Sequence, residues 1–295
     1  MTLLNKNKIL LYLFVFSFGL ISSFSLPPYN LFYINFFSYP ALLWTLLFYS
    51  KDKIVSFNIG WIFGFGYFIS NLYWITNSLT FEDIFKPLIP FALILIPLFL
   101  GLFYGFSTLV FSFLNPKKNF LSILILATSM SIFEYIRSFL FGGFPWNLIA
   151  FSFVNYLEFI QILSITGTYA FNSLVILLFL FPTILFFNYK RKIKISIFIF
   201  SLSAIFTNYF WGNLNLRQFE LNEKKDLSFN IKIISPTINI NRYFQNENPS
   251  ELILELINIS KPNPLIETLF ILPEGILSSI YFEDLKKSKT LFSNN

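Results

Sequence analysis

The sequence contains neither cysteine nor histidine. Their absence excludes disulfides, Cys- or His-ligated metal sites and any Ser-His or Cys-His catalytic pair within these 295 residues. Charge is scarce too: 12% of residues are Asp, Glu, Lys or Arg, against about 25% in an ordinary soluble domain. So few charges cannot cover the surface of a water-soluble protein of this size, which excludes a soluble globular enzyme as the whole answer. What fills the sequence is apolar: 55% hydrophobic residues, 43 of them Phe, and a mean hydropathy of +0.65. Lys outnumbers Arg 17 to 4, a skew that AT-rich coding also produces, so a single Phe carries little functional information.

Seven apolar runs approach the roughly 20 residues that cross a bilayer: 9–24, 31–49, 54–75, 88–114, 120–140, 156–187 and 193–211. Pro90 and Pro97 predict a kink in the fourth, and Gly167 is the expected weak point of the long sixth. Ten basic residues (Lys6, Lys8, Lys51, Lys53, Lys117, Lys118, Lys190, Arg191, Lys192 and Lys194) fall in one set of alternate loops, and only Lys86 falls in the other. The asymmetry predicts a cytoplasmic N-terminus, with everything after Trp211 on the far side. The first run reads either as a span or as a leader cleaved near Ser23-Phe24-Ser25, and both readings leave the C-terminal segment outside. The basic excess lies wholly in residues 1–211, with 12 Lys and Arg against 5 Asp and Glu. That pattern is a topology signal rather than a nucleic-acid surface, and no nucleic-acid partner is expected. Gly60 with Gly64, and Gly101 with Gly105, form small-xxx-small spacings. They either let two helices approach closely or are simply tolerated in apolar helices.

Beyond Trp211 the texture changes, and three parts are expected: a bundle over 1–211, a polar linker over 212–230 and an α/β segment over 231–295. Residues 231–234 predict a strand. Asn248-Pro249-Ser250-Glu251 opens a helix with an Asn cap and Pro at its first position, and Leu252, Ile253, Leu256 and Ile257 give it one apolar face. Residues 268–272 predict a second, buried strand. Strand–helix–strand is the opening of an α/β domain with parallel pairing.

Few residues could carry chemistry. Glu274 follows the second strand between Pro273 and Gly275, at the kind of strand end where open α/β folds place working groups. From these residues alone, a solvated loop carboxylate is the simpler reading. Glu134 and Arg137 share a helix face at i, i+3 in the fifth run. Charges at that depth either line a polar interior or form a structural ion pair. The loop Gly142-Gly143-Phe144-Pro145-Trp146-Asn147 reads alone as an aromatic interfacial anchor.

Taken together, Glu134-Tyr135-Ile136-Arg137 followed by Gly143-Phe144-Pro145-Trp146-Asn147 and Phe151-Ser152 resemble the bacterial apolipoprotein N-acyltransferases. Further matches are Phe24-Ser25-Leu26-Pro27-Pro28-Tyr29, Gly64-Phe65-Gly66 with Tyr73-Trp74, the strand at 231–236, and Leu272-Pro273-Glu274 in place of a Trp-Pro-Glu. The resemblance implies a multi-pass helical bundle of about seven spans in the bacterial inner membrane, followed by a nitrilase-like α-β-β-α domain of the carbon-nitrogen hydrolase kind. It implies a Glu-Lys-Cys set that passes an acyl chain from a phospholipid, through a Cys thioester, to the amine of a diacylglyceryl-cysteine apolipoprotein. Glu274 takes the place of the general base, and Tyr243 or Phe244 that of an aromatic near the substrate. Glu134, Arg137, Gly143, Phe144, Pro145 and Trp146 form the structural or lipid-facing motif. No metal and no cofactor is implied.

The implied Lys and Cys have no counterpart here. Lys286, Lys287 and Lys289 follow Glu274 too closely, and Cys is absent. The expectation is a chain truncated at its C-terminus, a fragment or a degraded copy, that does not turn over. The competing expectation is a non-catalytic scaffold or lipid-binding remnant in the bilayer. A transporter is disfavoured, because intramembrane charge is limited to Glu134, Arg137 and Glu158 and no inverted repeat is visible.

Overall fold

The computed structural model describes residues 8–49, 51–221, 229–236, 249–263 and 265–276. They divide into two units, Met1–Glu220 and Leu221–Asn295. The first is all-helical: α1 Lys8–Ser23, α2 Asn35–Tyr49, α3 Lys53–Asn71, α4 Ile89–Leu114, α5 Phe120–Arg137, the short α6 Leu157–Ile160 and α7 Leu163–Thr166, α8 Thr168–Leu180 and α9 Arg191–Leu221. Tight helical turns at Tyr73–Thr80, Asp83–Leu88, Leu140–Gly142, Ile149–Phe153 and Phe181–Phe186 complete it.

Each of the seven apolar runs is helical. Four helical stretches, Asp83–Leu114, Phe120–Arg137, Thr168–Phe186 and Arg191–Leu221, are long and apolar enough to cross a membrane by length and composition. Lys8–Ser23 is a shorter apolar helix. At about 1.5 Å per residue it measures roughly 24 Å, short of the ~30 Å hydrocarbon core. The sixth run breaks at Gly167, which takes φ +72° between α7 and α8. In the fourth, α4 passes through Pro97 as one helix.

Local rules account for several ends. Asp52 caps α3 by accepting from the Val55 N–H at 3.1 Å. Asn115 ends α4 in the left-handed conformation at φ +39°, its N–H donating to the Phe111 and Ser112 carbonyls. Helix α9 continues to Leu221, past the end of the apolar run and into the stretch expected to be linker. Leu216, Arg217, Gln218, Glu220 and Leu221 are good helix formers with no Gly or Pro among them, so the helix runs on where the hydropathy stops.

The two glycine pairs decide how the bundle closes. A Cβ at Gly64 would stand 2.9 Å from the Gly101 Cα, and one at Gly101 would stand 2.9 Å from the Phe65 N and the Trp61 O. Gly60 lies against Thr108 and the Tyr104 carbonyl, and Gly105 against the Phe57 ring. The small-xxx-small stripes of α3 and α4 therefore face each other, and the backbones pack directly at Gly64 and Gly101, while Gly60 and Gly105 make room for Thr108 and Phe57. The Thr108 hydroxyl donates to the Ser56 carbonyl at 2.8 Å and the Trp61 indole to the Leu98 carbonyl at 2.8 Å across the same seam. On its other side α3 meets α1, where Gly19 lies on the Phe63 carbonyl and Gly66 on the Phe16 carbonyl. Gly64→Ala is expected to cost about 1–3 kcal/mol by overpacking, because its neighbour is backbone. Gly105→Ala should cost less, because the Phe57 ring can move. Thermal unfolding of the two variants in matched detergent checks the order.

The second unit holds β1 Asn230–Ile233, α10 Pro249–Ser260 and β2 Thr268–Ile271. The strands pair in parallel, Ile231 opposite Leu269 and Ile233 opposite Ile271, as strand–helix–strand predicts. Leu252, Ile253 and Leu256 of α10 are buried, as is Ile234. The expectation of a buried second strand is corrected: Leu269 and Ile271 are exposed, as are Ile231 and Ile233 of β1. A lone helix has one apolar face and covers only one side of a sheet.

Candidate functional site

The last turn of α5 brings Glu134 and Arg137 together. Both are buried inside the protein, at 2% and 1% exposure. The Arg137 Nε donates to Glu134 Oε2 at 2.9 Å, and Nη2 donates to the same oxygen. The remaining arm reaches out of the helix: Nη1 donates to the Phe144 carbonyl at 2.8 Å, while the Phe144 N–H donates back to the Arg137 carbonyl at 2.9 Å. The guanidinium also lies 5.1 Å from the Phe68 ring centroid and 5.7 Å from that of Phe144, within cation–π range. The planar guanidinium fork satisfies a carboxylate and a carbonyl at once.

The loop after α5 is bent to meet this fork. Phe141, Gly142 and Gly143 all take positive φ, at +54°, +90° and +83°. Gly143 also lies against the Ser138 carbonyl, where a Cβ has no room. Beyond the bend, Tyr67 donates to the Asn147 carbonyl at 2.8 Å, and Trp146 stacks on Trp74 with centroids 5.3 Å apart. The Ala150 N–H donates to Asn172 Oδ1 of α8 at 3.0 Å. The loop is thus tied to α3, α5 and α8, while Pro145 and Trp146 stay exposed. Arg137, Gly143 and Phe144 line one side of a cleft of about 390 Å³, with Ile96, Phe99 and Phe103 of α4 among the residues opposite. Apart from the edge that Arg137 forms, the residues lining this cleft are apolar or glycine.

Around the ion pair lies a shell that the sequence did not reveal. Tyr39, Tyr67 and Tyr104 are buried and interact electrostatically with Glu134. The Tyr67 and Tyr104 rings stack at 5.9 Å, and Phe63 bridges Tyr39 and Tyr104 at 5.9 and 6.1 Å. Among 15 Tyr and 43 Phe, no single-sequence signal distinguishes these three. Ser152 is buried and donates to the Ile149 carbonyl at 2.7 Å.

Glu274 belongs to the second unit. It is exposed, in a turn directly after β2 that Gly275 completes at φ +73°. Tyr243 and Phe244 lie outside the described residues, as do Lys286, Lys287 and Lys289. The structure therefore joins Glu134, Arg137, Gly143, Phe144 and Trp146 into one assembly and places Glu274 at a strand end.

Residues 18–181 match the family model described as the apolipoprotein N-acyltransferase N-terminal domain. The chain belongs to the apolipoprotein N-acyltransferase family. It is 27% identical over 255 residues to the apolipoprotein N-acyltransferase of Brucella suis biovar 1 and 28% identical over 257 residues to that of Agrobacterium fabrum, covering 83% of this chain and 47% of each relative. The protein of that name from Allorhizobium ampelinum is 30% identical over 231 residues, 75% of this chain and 42% of the relative. The chain spans about half the length of the curated relatives it matches. The matched region contains the ion pair, the bent loop and the glycine seam, and ends at the end of α8.

Proposed function

We propose that this chain is the membrane part and the opening of the catalytic domain of a phospholipid-dependent N-acyltransferase acting on bacterial lipoproteins. The observation that carries the reading is the Glu134–Arg137–Phe144 clamp, which holds the family loop beside an apolar cleft within the matched region. In this reading the first unit is a seven-span bundle of the inner membrane with its N-terminus in the cytoplasm, and the β–α–β unit opens a nitrilase-like domain on the outer face. Reporter fusions after Asn119 and after Asn230 are expected on opposite sides, the first cytoplasmic. Two cytoplasmic signals would sink the seven-span arrangement.

The chemistry follows from the residue types. Glu274, at the strand end, takes the proton of a cysteine thiol. The thiolate attacks a phospholipid ester carbonyl, the oxyanion is held by a Lys and backbone N–H groups, and the lysophospholipid alkoxide leaves with the proton held by Glu274. The thioester then yields its acyl group to the α-amine of diacylglyceryl-cysteine, and the thiol is regenerated. No cofactor takes part. Since Cys is absent from the 295 residues, the thiol has to be supplied from outside them. Ser278 and Ser279 do not replace it, because no His is present to activate a hydroxyl. The 295-residue chain is therefore expected to transfer no labelled acyl group to a diacylated lipopeptide. A chain completed with the family's Lys- and Cys-bearing remainder is expected to transfer it. Transfer by the bare chain would overturn the nucleophile, and a silent completed chain would favour the second reading, a non-catalytic lipid-binding protein, to which the missing Cys and the apolar clefts also point.

A further inference from the structure

A second cleft, larger than the one beside Arg137, lies between α8 and α9 and has a volume of about 640 Å³, within the roughly 300–1,000 Å³ range of small-molecule sites. Helix α9 is pinned to the bundle at both ends and stands off between them. At its first turn Lys194 donates to the Leu185 carbonyl at 2.6 Å. Toward its far end Gly212 lies on the Glu158 carbonyl, the Tyr209 and Phe159 rings are 5.6 Å apart, and the Asn208 Nδ2 donates to the Phe159 carbonyl at 3.1 Å. Gly212 is the only buried residue of α9, so the helix's apolar length is left to lipid.

The cleft is long and mostly apolar, with Ser196, Ser201 and Asn208 as its polar lining residues. Ser196, Phe200, Ala204 and Asn208 line it at four-residue intervals, a stripe of about 18 Å at 1.5 Å per residue. That is close to one leaflet of a ~30 Å hydrocarbon core. Opposite the stripe stand Phe171, Leu174 and Leu178 of α8. At the end away from the basic Arg191–Lys194 segment, the Asn208 Oδ1 is buried with no hydrogen-bond partner. A buried acceptor left unmet is costly, and an occupant of the open cleft that carries a donor relieves it.

We propose that this cleft binds one lysophospholipid, its single acyl chain filling the stripe and its free glycerol hydroxyl donating to Asn208 Oδ1. A diacyl phosphatidylcholine fits less well, because its glycerol oxygens are all esterified and it has no donor to offer Asn208. The binding stands on the cleft alone. The further clause, that the occupant is the by-product of acyl donation, rests on the function proposed above.

The test uses the full 295-residue chain in bilayer nanodiscs and a lysophosphatidylcholine with a diazirine in its acyl chain. The choline head has no N–H, which leaves the glycerol hydroxyl as the donor. Photolabelling is expected on peptides spanning 168–181 and 196–208, and the O-methylated analogue is expected to compete about three- to tenfold less well, the worth of one hydrogen bond. Ala204→Phe, which fills the cleft, should remove the labelling. Asn208→Leu should abolish the discrimination between the hydroxyl and methoxy forms. Labelling spread evenly over α1, α4 and α9, or equal competition by the methylated analogue on the unaltered chain, would overturn the proposal without touching the acyltransferase reading. In a chain completed with the Lys- and Cys-bearing remainder, absence of acyl transfer with the labelling intact would do the reverse.

Discussion

If the proposed mechanism holds, then in a chain completed with a downstream Lys and Cys, Glu274→Gln is expected to cut acyl transfer by about 10²–10⁴-fold, the usual contribution of a positioned general base. The substitution keeps the shape of the side chain and removes its ability to take a proton. Glu274 is exposed in a turn, so stability should stay within about 0.5 kcal/mol, as for other surface changes. Glu267→Gln, at an exposed carboxylate just before β2, serves as the control and should leave transfer unchanged. Rates on a labelled diacylated lipopeptide, read beside thermal unfolding, separate a chemical effect from a folding one. Full activity of the Glu274→Gln protein would show Glu274 to be a loop carboxylate.

The second large effect is expected at Arg137. Arg137→Met strands a buried carboxylate on Glu134 and frees the Phe144 carbonyl, and breaking a buried pair from one side costs about 3–5 kcal/mol. The double variant Glu134→Leu/Arg137→Met removes both charges and should recover much of the loss, since two apolar groups leave nothing uncompensated. Arg137→Lys should fall between: a Lys restores the charge pair but cannot also hold the loop carbonyl in a fork. Protease sensitivity of the loop between Phe139 and Leu148 should rise in both single variants. Unfolding of Arg137→Met at the midpoint of the unaltered chain would refute the clamp.

These expectations differ in how early they could be reached. Glu134 and Arg137 were recognisable as a pair because a helix places i and i+3 on one face and because charge is rare in apolar runs. Whether the pair lined a polar interior or served as a structural bridge stayed open, since the answer depends on the Phe144 carbonyl, seven residues on and brought back by three consecutive positive φ angles. The glycine spacings were equally ambiguous. One stripe is only a permission for close approach, and its use needs a matching stripe on the facing helix. The break at Gly167 was legible because a residue without Cβ is where a long helical run most cheaply leaves helical geometry. The end of α9 was misjudged, because hydropathy marks where apolar side chains stop and not where backbone hydrogen bonding stops.

By itself the sequence determined the class of the molecule. Scarce charge and long apolar runs set the chain apart from an ordinary soluble domain, the lack of Cys and His means that no thiol or imidazole comes from these 295 residues, and strand–helix–strand spacing with a capped helix dictates parallel pairing in the second unit. These are properties of composition and of local periodicity, which the chain carries wherever it is. The tertiary structure alone decided that the α3 and α4 glycines meet, that Arg137 spends one arm on its own helix and the other on the loop, that three tyrosines surround Glu134, and that Asn208 ends a cleft with its acceptor unmet. Each depends on groups far apart in the chain meeting at hydrogen-bond or van der Waals distance, and no local rule specifies that distance.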